Sequence, residues 1–245
     1  MKQTVNSKPR WAACLLGLAT VLTAQQPPGA DVRGKKFYEE LIATPIVPLR
    51  APKDIQEDLK ATDNGMVQAD KAIAGAQARI KESEGWLAAL KGEMDGLKGK
   101  ANIAKKEKRE ADKLTLEAQL KQLELVEEYL KKTKSIRDAE LDFGRARKEQ
   151  AGAERKVYEA ESGLNSKVAA IKSAGPQAAN LSKLVVEGAE AGEKVLKLIK
   201  EMADKNEDAA GRMKQLAERR IELAQARNKL LSEDRIRGVA AGMKK

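Results

Sequence analysis

The stretch "LKGEMDGLKGKAN", Leu90 to Asn102, decides the fold. Gly92, Gly96 and Gly99 interrupt a chain whose other local signals are helical. Each glycine inside a helix costs about 1 kcal/mol against alanine. Gly99 suits the position just past a helix end, and Asn102 suits an N-cap. "GKAN" (Gly99 to Asn102) then has a length common between antiparallel helices. This chemistry predicts a turn here and a helical hairpin. Two other arrangements stay open: a continuous rod from Asp54 to Ala174, and a turn at "KKTKS" (Lys131 to Ser135).

Working outward, the flanks carry heptad patterns. Leu59, Met66, Ile73, Ile80, Leu87, Met94 and Ala101 recur every seven residues, all apolar. Their companions are Thr62, Ala69, Ala76, Ser83, Leu90, Leu97 and Ala104. This is a coiled-coil seam. A second seam sets Ile136, Phe143, Gln150, Val157, Leu164 and Ile171 beside Ala139, Ala146, Ala153 and Ala160. The alanines permit close helix approach, because interaxial distance follows side-chain size. Ile136 lies eleven heptads after Leu59, and this shared phase is the argument for a rod. Against it, the intervening positions Lys108, Thr115, Gln122 and Tyr129 are almost silent. Leu116, Leu123 and Leu130 form a further row beside the seam. A helix apolar on two sides touches two partners. The hairpin reading supplies them, with the partners overlapping near residues 120–140.

The expected class is therefore all-α, a long antiparallel helical hairpin or coiled coil of about three helices. Asp54 with Glu57, just after Pro52, resembles a capping box and opens the first helix, about 54–98. The second spans about 102–174. "AGPQ" (Ala174 to Gln177) stops it, since Gly175 suits a left-handed terminus and Pro176 cannot extend the ladder. The third runs about 177–232, with Leu181, Gly188, Val195, Met202, Ala209, Leu216, Leu223 and Leu230 every seven residues. The helical domain is 54–234, and residues 235–245 form a tail.

Composition agrees with long helices. Charged residues make up 34% and aromatics only 3%, too few to organise a thick globular core. The N-terminus differs. Lys2, Lys8 and Arg10 precede "WAACLLGLATVLTA" (Trp11 to Ala24). That apolar run is shorter than the roughly 20 residues needed to span a bilayer. It reads as a signal peptide, 1–24, cleaved near Ala24. An uncleaved anchor is the less favoured reading. Residues 25–53 form a Pro-rich linker, in which Ile46, Val47 and Leu49 could lie on the helices. Cleavage removes Cys14, the single cysteine, and lowers the formal charge from +10 to +7. The chain has no histidine. The mature protein then has no residues for disulfides or Cys/His zinc sites.

No nucleophile–base pair, phosphate loop or metal constellation stands out. The expectation is a non-enzymatic protein without cofactor or metal. The candidate contact is the basic run "KKEKRE" (Lys105 to Glu110). Lys105, Lys106, Lys108 and Arg109 could meet an anionic surface or acidic partner through summed charge. A solvated helix face is the plainer reading. Nucleic acid is not expected as a partner, because no aromatics interleave the basic segments. "NLS" at Asn180 to Ser182 matches a glycosylation acceptor only in a host that uses one.

The leading functional expectation is an exported structural or interaction protein of the periplasm or extracellular space. It would act as scaffold, spacer or docking hairpin, through helical faces and with homo-oligomers open. The alternative is a periplasmic holdase-type chaperone or client-binding module. An exported, basic, alanine-rich chain with helical arms is similar in outline to those chaperones, but it lacks strands for the small trimerising body they carry.

Overall fold

The computed structural model describes residues 47–174 and 180–242, with side chains described as far as residue 233. The proposed leader and all of the linker before Val47 lie outside the described residues, as do Gly175 and Pro176. Three α-helices follow one another: α1, Pro52–Lys106; α2, Glu110–Ala174; α3, Leu181–Gly242. The described residues hold no strand. The helix α3 continues through the segment expected to be a tail, as far as Gly242. None of the described helices is long and apolar enough to cross a membrane.

The start of α1 differs from the expected capping box. Ala51 is the N-cap, extended at φ −62° and ψ 137°, and makes no side-chain cap bond. Pro52 occupies the first helical position, where its fixed φ fits and its missing N–H is no loss. Asp54 and Ile55 donate their backbone N–H groups to the Ala51 carbonyl at 3.0 and 3.2 Å. Asp54 thus sits in the first turn, where its charge suits the helix dipole.

The turn lies eight residues beyond Gly99. Gly92, Gly96 and Gly99 are all helical, and a Cβ on any of them would meet nothing within 4 Å. They sit on the outer side, so the predicted "GKAN" loop does not form and Asn102 caps nothing. The glycines cost about 3 kcal/mol together, and the helix still runs on past them, with Ala104 buried in the same row as Leu90.

The chain reverses instead through Glu107, Lys108 and Arg109. The Arg109 N–H donates to the Ala104 carbonyl at 2.9 Å, and the Lys108 N–H donates to that of Lys105 at 3.2 Å. These two bonds define a Schellman C-cap. The left-handed position in it is filled by Lys108, φ 56°, the sole non-glycine residue with positive φ among those described. Lys105 and Lys106 lie in the last turn of α1, and Glu110 and Asp112 in the first turn of α2. Each charge complements its helix end.

Both helix pairings are antiparallel, and their registers can be read from ion pairs. Lys134–Glu84, Lys148–Asp70 and Arg155–Asp63 join α2 to α1, and in each the residue numbers add to 218. A hairpin centred on residue 109 requires that sum. Lys132–Glu222, Lys167–Glu187 and Lys205–Glu149 join α2 to α3, each adding to 354, which centres that reversal on residue 177. The central helix is α2, and α1 and α3 pack along it but scarcely on each other. Ion pairs reach α2 from both α1 and α3 over about residues 134–155, further along the chain than the expected 120–140.

The packing follows the heptads. On α1, Thr62, Ala69, Ala76, Ser83, Leu90 and Ala104 are buried in one row. The buried hydroxyls stay satisfied: Thr62 donates to the Leu59 carbonyl at 2.8 Å, and Ser83 to that of Arg79 at 2.8 Å. On α2, the row of Leu116, Leu123 and Leu130 continues as Gly144, Ala151 and Tyr158. It faces α1: a Cβ at Gly144 would lie 3.0 Å from Ile73 Cγ1, and one at Gly65 would lie 3.9 Å from Ala151 Cβ. The second seam of α2 faces α3, where Leu164 meets Val195. On α3, Val195, Met202, Ala209 and Leu216 are buried as the pattern predicts.

Candidate functional site

The hairpin tip collects the four basic residues that the sequence singles out, but it does not treat them alike. The Arg109 guanidinium is engaged by two carboxylates, donating to Glu107 at 2.8 Å and to Asp112 at 2.9 Å. Its charge is spent within the turn. Lys105, Lys106 and Lys108 are exposed and make no ion pair with any described residue. Beside them a notch of about 420 Å³ opens between the two helix ends, lined by Lys100, Ile103, Ala104, Leu116 and Gln119. Ile103 is 52% exposed and Leu114, one turn into α2, is 62% exposed. The tip therefore offers three unpaired ammonium groups next to two apolar side chains.

A second cluster forms where the expected contact of the Pro-rich linker with the helices is made, and its polar partners gave no signal in the sequence. Residues 47–51 form a short non-helical strap that lies on α2 before α1 begins. Val47 is buried against Leu164 and Val195, ringed by Ala160, Val168, Ala191 and Ile199. Arg50 donates to Glu161 at 3.2 Å and to Asp58. Its guanidinium also lies over the Tyr158 ring, 5.4 Å from the centroid, in cation–π range. The Asn165 side-chain amide donates to the Arg50 carbonyl at 2.9 Å. Of the residues expected to touch the helices, Val47 does so, Leu49 is exposed, and Ile46 lies outside the described residues.

Glu161 is only 5% exposed. Burial pushes its carboxyl pKa up, and the charge and hydrogen bond of Arg50 pull it back only in part. For Arg50 burial works downward, but the bond to Asp58 and the charges of Glu161 and Asp58 outweigh it and hold the guanidinium protonated. Glu154, one heptad from Glu161, is likewise raised by burial and accepts a bond from Gln150 at 3.0 Å. One cue for the strap was present in the sequence: an apolar residue and an arginine bracketed by prolines. Nothing local in the sequence connected them to Glu161, 111 residues away.

A recess of about 410 Å³ between α2 and α3 is lined by Asp138, Asp142, Glu218, Arg219 and Glu222. Among the described residues no group of three or more His, Cys, Asp or Glu is placed to hold a metal ion. Comparison with family models, with curated proteins and with solved structures returned no match.

Proposed function

We propose that the chain is an exported, non-enzymatic interaction protein of the cell envelope, in which a coiled-coil hairpin acts as spacer and presents its tip to a partner. The single observation that carries this reading is the tip. Lys105, Lys106 and Lys108 stand unpaired beside exposed Ile103 and Leu114. They sit at the end of a 55-residue helix, a reach of about 80 Å at 1.5 Å per residue. Some surface lysines elsewhere are matched, as at Lys148–Asp70 and Lys205–Glu149, and others such as Lys60 and Lys71 are not, among the described residues; the tip differs in holding three unmatched lysines within four residues. Unmatched charge beside apolar side chains favours contact with an acidic partner or an anionic envelope surface. The heptad rows support the coiled-coil reading. The leader-like sequence Met1 to Ala24 supports export.

The chaperone reading has less support. Arms that hold clients need a continuous apolar inner surface. Here the row continuing from Leu116 to Ala151 faces α1, and exposed apolar residues such as Val67 and Trp86 on α1 and Met213 on α3 are many residues apart.

The test is photocrosslinking in the native cell. A photoreactive residue replaces Lys108, Lys105, Lys60 or Lys148 in turn. Crosslinked species concentrated at Lys105 and Lys108 support a docking tip. Equal yields along the rod, or none at the tip, refute it.

A further inference from the structure

The strap sits in a seat made by α2, α3 and the start of α1. Its apolar part comes from α2 and α3, through Leu164 and Val195. Its polar part comes from α2: Glu161 receives the guanidinium, Tyr158 lies under it, and Asn165 holds the backbone carbonyl. Only Asp58 is contributed by the helix that the strap leads into. The strap brings two anchors, Val47 and Arg50, in a non-helical segment that bends at Val47. Between the anchors Pro48 and Leu49 are exposed. The Asn165 amide holds the Arg50 carbonyl, and the first N–H groups of α1 hold that of Ala51.

We propose that this seat is a peptide-recognition groove held shut in cis. Its external ligand is an extended segment of a partner protein carrying an apolar residue three positions before an arginine, and Val47–Arg50 is the built-in occupant. The chemistry of the occupant specifies the ligand. The apolar side chain enters the Leu164–Val195 pocket. The arginine forks between carboxylates over an aromatic face, a geometry that lysine does not reproduce. A short tether keeps the strap at an effective concentration in the millimolar range. An external segment therefore binds well only when the strap is lifted, which makes the strap an autoinhibitory contact. The site is separate from the hairpin tip and does not depend on the role proposed for it.

The experiment uses the full chain and a labelled nonapeptide with the sequence of Thr44 to Pro52, TPIVPLRAP. Fluorescence anisotropy follows its titration into the Val47→Ala/Arg50→Ala chain. Saturable binding is expected, at least tenfold tighter than to the unaltered chain. Adding Glu161→Gln should weaken it at least tenfold, as should replacing the peptide's arginine by alanine. No saturable binding to the opened chain would overturn the proposal, as would binding indifferent to Glu161→Gln. If the double variant loses its helical circular dichroism, Arg50→Gln alone replaces it with the same expectations. Loss of helix in that variant too would make the strap a structural part rather than a displaceable one, and would also overturn the proposal.

Discussion

Replacing Gly92, Gly96 and Gly99 together by alanine probes the position of the turn through stability. A Cβ at each of the three would meet nothing within 4 Å, so no steric term opposes the change. All three positions are helical. The gain is then the intrinsic difference between glycine and alanine in a helix, about 0.8–1 kcal/mol each. Sites without shared partners add to within a few tenths, which gives about 2–3 kcal/mol in total. For a chain of 150–250 residues, 1 kcal/mol moves the melting midpoint by about 2–4 °C. The triple variant should therefore melt about 5–10 °C higher, followed by circular dichroism at 222 nm. A turn at Gly99 would give the opposite sign there, because a left-handed terminus penalises alanine. An unchanged or lower midpoint would refute the placement of these glycines on the outer face of α1.

Other predictions follow from single sites. Lys108→Gly should stabilise by about 1 kcal/mol, since Lys108 holds a left-handed φ of 56° that glycine adopts freely; a lower urea midpoint would count against the Schellman turn. Gly144→Leu should destabilise by about 1–3 kcal/mol, because even a Cβ would approach Ile73 to 3.0 Å; a neutral result would separate α2 from α1 at that level. Glu154→Gln should stabilise at neutral pH and lose its advantage in acid. Burial raises the folded pKa of Glu154, so the folded form binds the extra proton. The wild-type stability contribution is thus present below the ordinary carboxylate range and lost as pH rises through the raised value. Urea midpoints of both chains between pH 3 and 8, a range of roughly five units chosen to bracket carboxylate titration, should converge at the acid end. Parallel curves would contradict the burial of that carboxylate.

The helical class and the buried faces were legible because they depend on period. Thr62, Ala69, Ala76, Ser83 and Leu90 are buried at the positions that the seven-residue spacing assigns, and so are Val195, Met202, Ala209 and Leu216. The turn was misplaced because local propensity was set against burial summed over a whole helix. Gly99 carries the commoner turn signal, yet Leu90, Met94 and Ala104 form a buried row that passes it. Lys108 gave no signal at all, since lysine seldom takes a left-handed conformation. What could be read there was the sorting of charge, basic at Lys105 and Lys106 and acidic at Glu110 and Asp112, which marks a helix end followed by a helix start. Lys105, Lys106, Lys108 and Arg109 lie together at the turn because they are neighbours in sequence, but the pairing of Arg109 with Glu107 and Asp112 is a product of the turn. The strap was legible only in part, through its prolines and apolar residues. Its partners Glu161 and Asn165 are more than a hundred residues away and look like ordinary helix-surface residues.

The most direct test of the antiparallel arrangement is a distance across the hairpin. Single cysteines at Asp70 and Lys148, in a Cys14→Ser background, carry spin labels for pulsed electron resonance, diluted with unlabelled protein. In the structure these two residues form an ion pair at 2.7 Å. Labels there should lie about 10–25 Å apart, given helix spacing and label length. A hairpin turning at Gly99 would shift the pair along the axis by about 30 Å, and a continuous rod would separate them by about 117 Å, at 1.5 Å per residue. A short distance supports the turn at Glu107–Arg109, and either longer one contradicts it.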